Sequence, residues 1–174
     1  MMSEGNRETL LYDYMHERTD LYAKLLPGNL ERSLLSETNW IIRSRYASGE
    51  DMGIKVVTGD ICYMDFGQMY LNEMGFQHFG LVISICQKKA LVIPMTSNIA
   101  TYAKAYDEIC NPSGKKNLMR IGLVKGLNKP SVLFLNDVRF VNTARVIDIK
   151  AHLDINGEMY GKIRSRFLQI AFPA

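Results

Sequence analysis

Eight cations, Lys88, Lys89, Lys104, Lys115, Lys116, Arg120, Lys125 and Lys129, fall in one stretch that holds only two acids, Asp107 and Glu108. Such a concentration suits a polyanion such as RNA, because neutralising phosphates gives affinity that does not depend on sequence. The plainer alternative is a solvated surface. Cys62, Cys86 and Cys110 are an odd number with no Cys-x-x-Cys pair, which suggests neither a disulfide framework nor a zinc knuckle. They read as buried thiols in a reducing cytoplasm. The net charge of +3 hides an asymmetry: residues 1–57 carry seven Lys/Arg against nine Asp/Glu, and residues 58–174 carry fourteen against nine.

The elements that must position these groups fall into two regimes. With 174 residues, 47% of them apolar, the chain can bury a core of ordinary size and has some length to spare. Leu10, Leu11, Tyr14, Leu21 and Leu25 recur at helical spacing until Pro27-Gly28, and a second helix carries Leu30, Leu34, Leu35, Trp40, Ile41 and Ile42. Asn29 is its expected N-cap, and it is expected to fade near Ser48-Gly49, leaving a hinge over residues 49–57. From Thr58 onward short β-branched and aromatic runs take over: 61–66, 81–85, 91–93, 121–124, 132–135 and 145–149. These predict a small, strongly bent sheet or barrel. A last helix places Ile155, Met159, Ile163, Phe167 and Ile170 on one stripe, with Asp154 or Asn156 as cap. The polar N-terminus and the short apolar runs predict a cytoplasmic protein with no membrane partner.

Several of these runs carry a resemblance. Gly59-Asp60-Ile61-Cys62-Tyr63-Met64-Asp65-Phe66, followed by Asn72-Glu73-Met74-Gly75-Phe76-Gln77-His78-Phe79-Gly80-Leu81, resembles the opening of the MazF/PemK (Kid) family of toxin endoribonucleases. Ile93-Pro94-Met95-Thr96-Ser97-Asn98 is similar to that family's strand ending in Thr or Thr-Ser, and the segment from Ser131 to Asn142 to its next strand and Arg-containing turn. The resemblance covers residues 58–174 in order. It implies a mainly β, SH3-like or CcdB/PemK-type small barrel with a C-terminal helix, preceded here by a helical extension over residues 1–57.

The resemblance also implies a function. The chain is expected to be the toxin of a type II toxin-antitoxin system, a homodimer that cleaves single-stranded RNA with no cofactor or metal and is held in check by a small acidic antitoxin. The ribose 2′-hydroxyl attacks phosphorus, which calls for a base, an acid for the departing oxygen and donors to the phosphorane oxygens. Carried over residue by residue, the catalytic set is His78, Thr96, Ser97 and Glu73; the RNA-binding set is Gln77, Lys88, Lys89, Lys115, Lys116 and Arg139. Arg120 also belongs to the basic stretch, and Phe76, Phe79 or Tyr102 are candidates to stack bases.

Four positions depart from the family pattern. His78 stands where the family has an Arg and Phe79 where it has a Pro, exchanging a fixed cation for a group that titrates near neutrality. Phe134 and Asn136 fall where some members carry an Arg and an Asp. The competing reading is a catalytically weak or inactive module of the same fold that binds RNA or a protein partner. A gyrase-binding version is disfavoured because the tail Phe172-Pro173-Ala174 has no Trp. The acidic extension is also a possible intramolecular cover for the basic part.

Overall fold

The computed structural model describes residues 4–173. Two helices, α1 (Glu4–Ala23) and α2 (Pro27–Arg43), form the extension. Pro27 opens α2 instead of closing α1, because its fixed φ and missing N–H suit the first helical turn. The residue before it, Leu26, takes the cap position without a side-chain bond, so Asn29 lies inside the helix and caps nothing. The helix stops at Arg43, short of the expected Ser48-Gly49. The following segment is not a loose hinge: the Asp51 carboxylate accepts the N–H groups of Ala47 and Ser48 at 2.8 and 3.0 Å. Gly49 is buried, donates to Thr143 Oγ1 at 3.0 Å, and would set a Cβ 2.8 Å from the Ile54 carbonyl.

Eight strands follow: β1 (Asp60–Asp65), β2 (Gln77–Cys86), β3 (Lys89–Thr96), β4 (Ala105–Tyr106), β5 (Lys115–Gly122), β6 (Ser131–Phe134), β7 (Arg139–Asn142) and β8 (Val146–His152). A six-residue helix, α3 (Ile99–Lys104), leads into β4, and α4 (Glu158–Ala171) closes the fold. The order β4-β5-β6-β3-β2-β1-β8 makes one sheet, with β7 also on β3; only β4–β5 is parallel. Among the described residues β4 and β8 remain the outer strands, so backbone pairing does not close the expected barrel. Register shifts in β1, β2 and β5 bend the sheet instead. Pro94 sits where β3 passes from β7, which pairs through Val92, to β6, which begins at Met95, so its missing N–H breaks no ladder on that side.

Strand alternation sorts the apolar residues onto two faces. Ile61, Leu81, Ile93 and Leu133 pack on one, covered by Met159, Ile163, Phe167 and Ile170 of α4. Cys62, Met64, Val82 and Val92 pack on the other with Phe66, Val141 and Val146. Ile155 lies before α4 and is exposed, and the cap position is Gly157 without a side-chain bond. Asp154 turns its carboxylate to the Asn156 N–H instead. Of the thiols only Cys62 is buried; Cys86 and Cys110 are exposed, because one follows the last covered turn of β2 and the other lies in the loop before β5.

Candidate active site

The β2–β3 ladder pairs Phe79 with Met95 and Gly80 with Pro94. Continued one step, that register brings His78 level with Thr96 on one face, the face that Met64 shares with His78 across β1. Thr96 Oγ1 accepts the Asn98 N–H at 3.2 Å, which leaves its own O–H free to donate. Asn98 in turn caps α3 through Thr101 N at 3.0 Å, so the Thr-Ser pair is fixed at the mouth of a short helix. His78 is half-buried. Burial, reinforced by the Arg32 guanidinium of α2, holds its imidazole below the usual histidine range and hence neutral near pH 7.

Next to α3 opens a cleft of about 580 Å³, walled by Thr101 and Lys104, by Lys115 and Asn117 of β5, by Phe134 and Asn136, and by the loop that carries Glu73. Asn117 Nδ2 donates to Asn136 Oδ1 at 2.9 Å. The loop is tied down where the Met74 N–H meets Asp137 at 2.5 Å and the Phe76 N–H meets the Gly67 carbonyl at 2.6 Å. Glu73 lies 4.0 Å from Arg139, which also pairs with Asp137 and lies over the Phe66 ring. None of the described residues of the extension, 4–57, lines this cleft.

The sequence-derived set is therefore only partly gathered. The β2–β3 register continued one step sets His78 opposite Thr96, Ser97 follows the end of β3, and Glu73 and Lys115 share the cleft beside α3. Lys116 follows on β5, exposed, with its carbonyl accepting Arg166. Lys88 and Lys89 lie at the opposite end of the β2–β3 hairpin, seven residues from Thr96 or roughly 23 Å along a strand. Gln77 spends its amide on Asp65 at 2.7 Å, and Arg139 is held by two carboxylates. Phe76 is buried, Phe79 packs on Tyr63, and Tyr102 lies under Arg120 at 4.7 Å while its carbonyl accepts the Arg120 Nε–H. Each of these three rings is thus buried or already in contact with another side chain. Lys104 was counted only within the basic stretch, and Asn117 was not singled out; the Asn98 cap was the local signal that a helix ending in Lys104 begins there.

Asp65 was not singled out either, yet it organises the neighbourhood. Its buried carboxylate accepts from Ser36 (2.8 Å), Asn39 (3.1 Å), Gln77 (2.7 Å) and the Gly67 N–H (2.7 Å). Gln68 reaches the Ser33 carbonyl at 3.2 Å, and Arg43 reaches the carbonyls of Ala144 and Val146 at 3.2 and 2.7 Å. Thus α2 docks through polar groups, and Leu34, Leu35, Ile41 and Ile42 face outward.

No family model matches the sequence, and no curated protein matches it. Among solved structures the chain is similar to endoribonucleases of the MazF kind. They include MazF from Deinococcus radiodurans (14% identity, 68% of this chain and 97% of that one, TM-score 0.49). An endoribonuclease from a mycobacterial species, in complex with its cognate antitoxin, has 10% identity over 69% and 99% of the two chains, with TM-score 0.47. The Mycobacterium tuberculosis toxin MazF-mt6 has 12% identity over 63% and 93%, with TM-score 0.44. No helix among the described residues is long and apolar enough to cross a membrane.

Proposed function

We propose that this chain is an endoribonuclease that cleaves single-stranded RNA through its own 2′-hydroxyl, the toxin partner of a small acidic antitoxin. The observation that carries the reading is the β2–β3 register, which continued one step sets His78, an imidazole held below its ordinary range, opposite Thr96, with a cleft carrying Lys104 and Lys115 beside α3. His78 takes the proton of the 2′-hydroxyl as its oxygen bonds to phosphorus. Thr96 and Ser97 donate to the non-bridging oxygens, whose charge grows in the transition state. The bond to the 5′-oxygen breaks, that oxygen takes a proton from solvent in the open cleft, and the products are a 2′,3′-cyclic phosphate and a 5′-hydroxyl. Glu73, paired with Arg139, shapes the loop at the rim. The homodimer and the antitoxin belong to this reading through the sequence resemblance, and the excess of fourteen cations over nine acids in residues 58–174 suits an acidic partner.

The test is cleavage of a single-stranded RNA in EDTA. Cyclic-phosphate ends are expected, with a loss of about 10²–10⁴-fold for His78→Ala and about 10²-fold for Thr96→Ala. Cleavage indifferent to both substitutions would remove these residues from the site. Tight RNA binding without any cleavage by the parent would make the chain a binding module instead.

A further inference from the structure

Where α2 meets Asp65, a cavity of about 540 Å³ opens, bordered also by Tyr14 of α1, by Gly67 and Gln68, and by the turn that holds Asn142 and Arg145. Its walls come from both the extension and the sheet, and its size is that of a small-molecule site. Three aromatic residues line it, Tyr14, Trp40 and Tyr46. Trp40 stands 67% exposed, and among the described residues its ring meets no other ring or cation. The charges of the lining cancel, with the guanidiniums of Arg43 and Arg145 set against the carboxylates of Glu37 and Asp65. Both carboxylates are engaged, Asp65 by its four donors and Glu37 by Tyr22 and Arg18. What stays unused among the described residues is of two kinds. The side-chain oxygens of Asn39 and Gln68 are acceptors whose amide nitrogens are already occupied, and Arg145 keeps donors beyond the one given to the Asp65 carbonyl.

A phosphate finds no net charge here, and an apolar side chain would strand these polar groups. A flat ring with donors and acceptors on its edge suits both the indole and the edge groups, and a nucleobase is such a ring. The loop that opens with Gly67 and Gln68 also carries Asn72 to Met74 at the wall of the cleft beside α3. Gln68 and Asn72 are four residues apart, at most roughly 14 Å of extended chain. We infer that this cavity binds one nucleobase, stacked on the Trp40 indole and met at its edge by Asn39, Gln68 and Arg145. Supplied by a strand whose cut bond lies in the cleft, the base is a flanking nucleotide, and that source rests on the RNA-cleaving reading above. Supplied as a free nucleoside, it makes the cavity a ligand site in its own right.

Trp40 is the only tryptophan, so its fluorescence reports on the cavity. The experiment titrates the full chain with the four ribonucleosides, with a 2′-O-methyl oligoribonucleotide that cannot be cut, and with benzyl alcohol, a ring without a base's edge. A saturable change with a nucleoside or the oligonucleotide, and none with benzyl alcohol, upholds the site. Nucleosides alone identify a free ligand, and the oligonucleotide alone a base of a strand. Calorimetry then compares the parent with Trp40→Ala, in which affinity for the same probe is expected to fall about tenfold, and with Trp40→Phe, which keeps a smaller ring and falls between. Both unfolding midpoints stay near the parent value because the indole is exposed; if Trp40→Ala lowers its midpoint, the loss in Trp40→Phe decides. No response to any nucleobase probe, an equal response to benzyl alcohol, or unchanged affinity in Trp40→Ala overturns the inference. A parent that takes nucleosides but neither binds nor cuts RNA ends the RNA reading and leaves the nucleobase site standing.

Discussion

His78 and Cys62 show how burial sets chemistry in this chain. Burial first, and Arg32 second, hold the His78 imidazole below its ordinary range, so the native state resists a proton that the unfolded chain accepts below about pH 6.5. Stability therefore falls as pH drops from that value toward the folded one. Urea midpoints of the parent and His78→Gln, compared between pH 7.5 and 5, should converge on acidification as the parent loses what the variant never had; parallel curves would contradict this. Replacing Arg32 by Gln removes the smaller of the two causes and should raise the His78 pKa, read from its ring protons. Cys62 is pushed up to about 12 by burial, aided by Asp60 and Asp148, so it stays a thiol at any working pH. A thiolate-directed label should reach Cys86 and Cys110 in the native chain and Cys62 only after unfolding. The resemblance could name His78 and Thr96 together, but it could not show that Gln77 is already occupied, because its partner Asp65 lies on another strand.

At the scale of elements, α2 inverts the usual rule that a helix buries its apolar stripe. Ser33 and Ser36 are buried, and Leu34 and Ile41 stand 48% and 66% exposed. The apolar spacing announced the helix correctly and concealed which side would dock, since the docking side is polar and answers to Asp65, an acceptor in a distant strand. Two substitutions should then behave opposite to intuition. Leu34→Ser is expected to change stability by no more than about 0.5 kcal/mol, and Asp65→Ala, which strands the buried donors of Ser36 and Gln77, to cost about 2–4 kcal/mol in urea unfolding. Equal losses in the two variants would mean that the polar dock does not hold α2. In α4 the ordinary rule applies: Ile163 is fully buried against the sheet, and Ile163→Ala should cost about 2–5 kcal/mol. Strand positions were largely legible because β-branched runs mark them, apart from β5, which begins at Lys115 ahead of the expected 121–124 run because its first half carries polar Lys115, Lys116 and Asn117, and apart from β4 and β7, of two and four residues, whose existence depends on their neighbours β5 and β3.

Over the whole molecule, charge and register divide the basic stretch into parts with different prospects. Lys104 and Lys115 line the cleft, whereas Lys88 and Lys89 sit at the far turn of β2–β3. Two phosphate contacts to a single strand predict a plot of log affinity against log salt with a slope of about −1.4. Lys88→Gln with Lys89→Gln should leave that slope unaltered, and Lys115→Gln should lessen it by about 0.7; a slope that responds to the first pair would move the RNA path to the other end of the sheet. Composition alone could reveal the basic excess but not this partition, which needs the pairing of β2 with β3. The reach of Arg43 to the carbonyls of Ala144 and Val146 has a consequence in time as well as in space. The helix is synthesised well before the sheet, yet its last anchor is made more than a hundred residues later. A growing chain thus carries α2 early and cannot complete its docking until the strand beginning at Val146 has been synthesised.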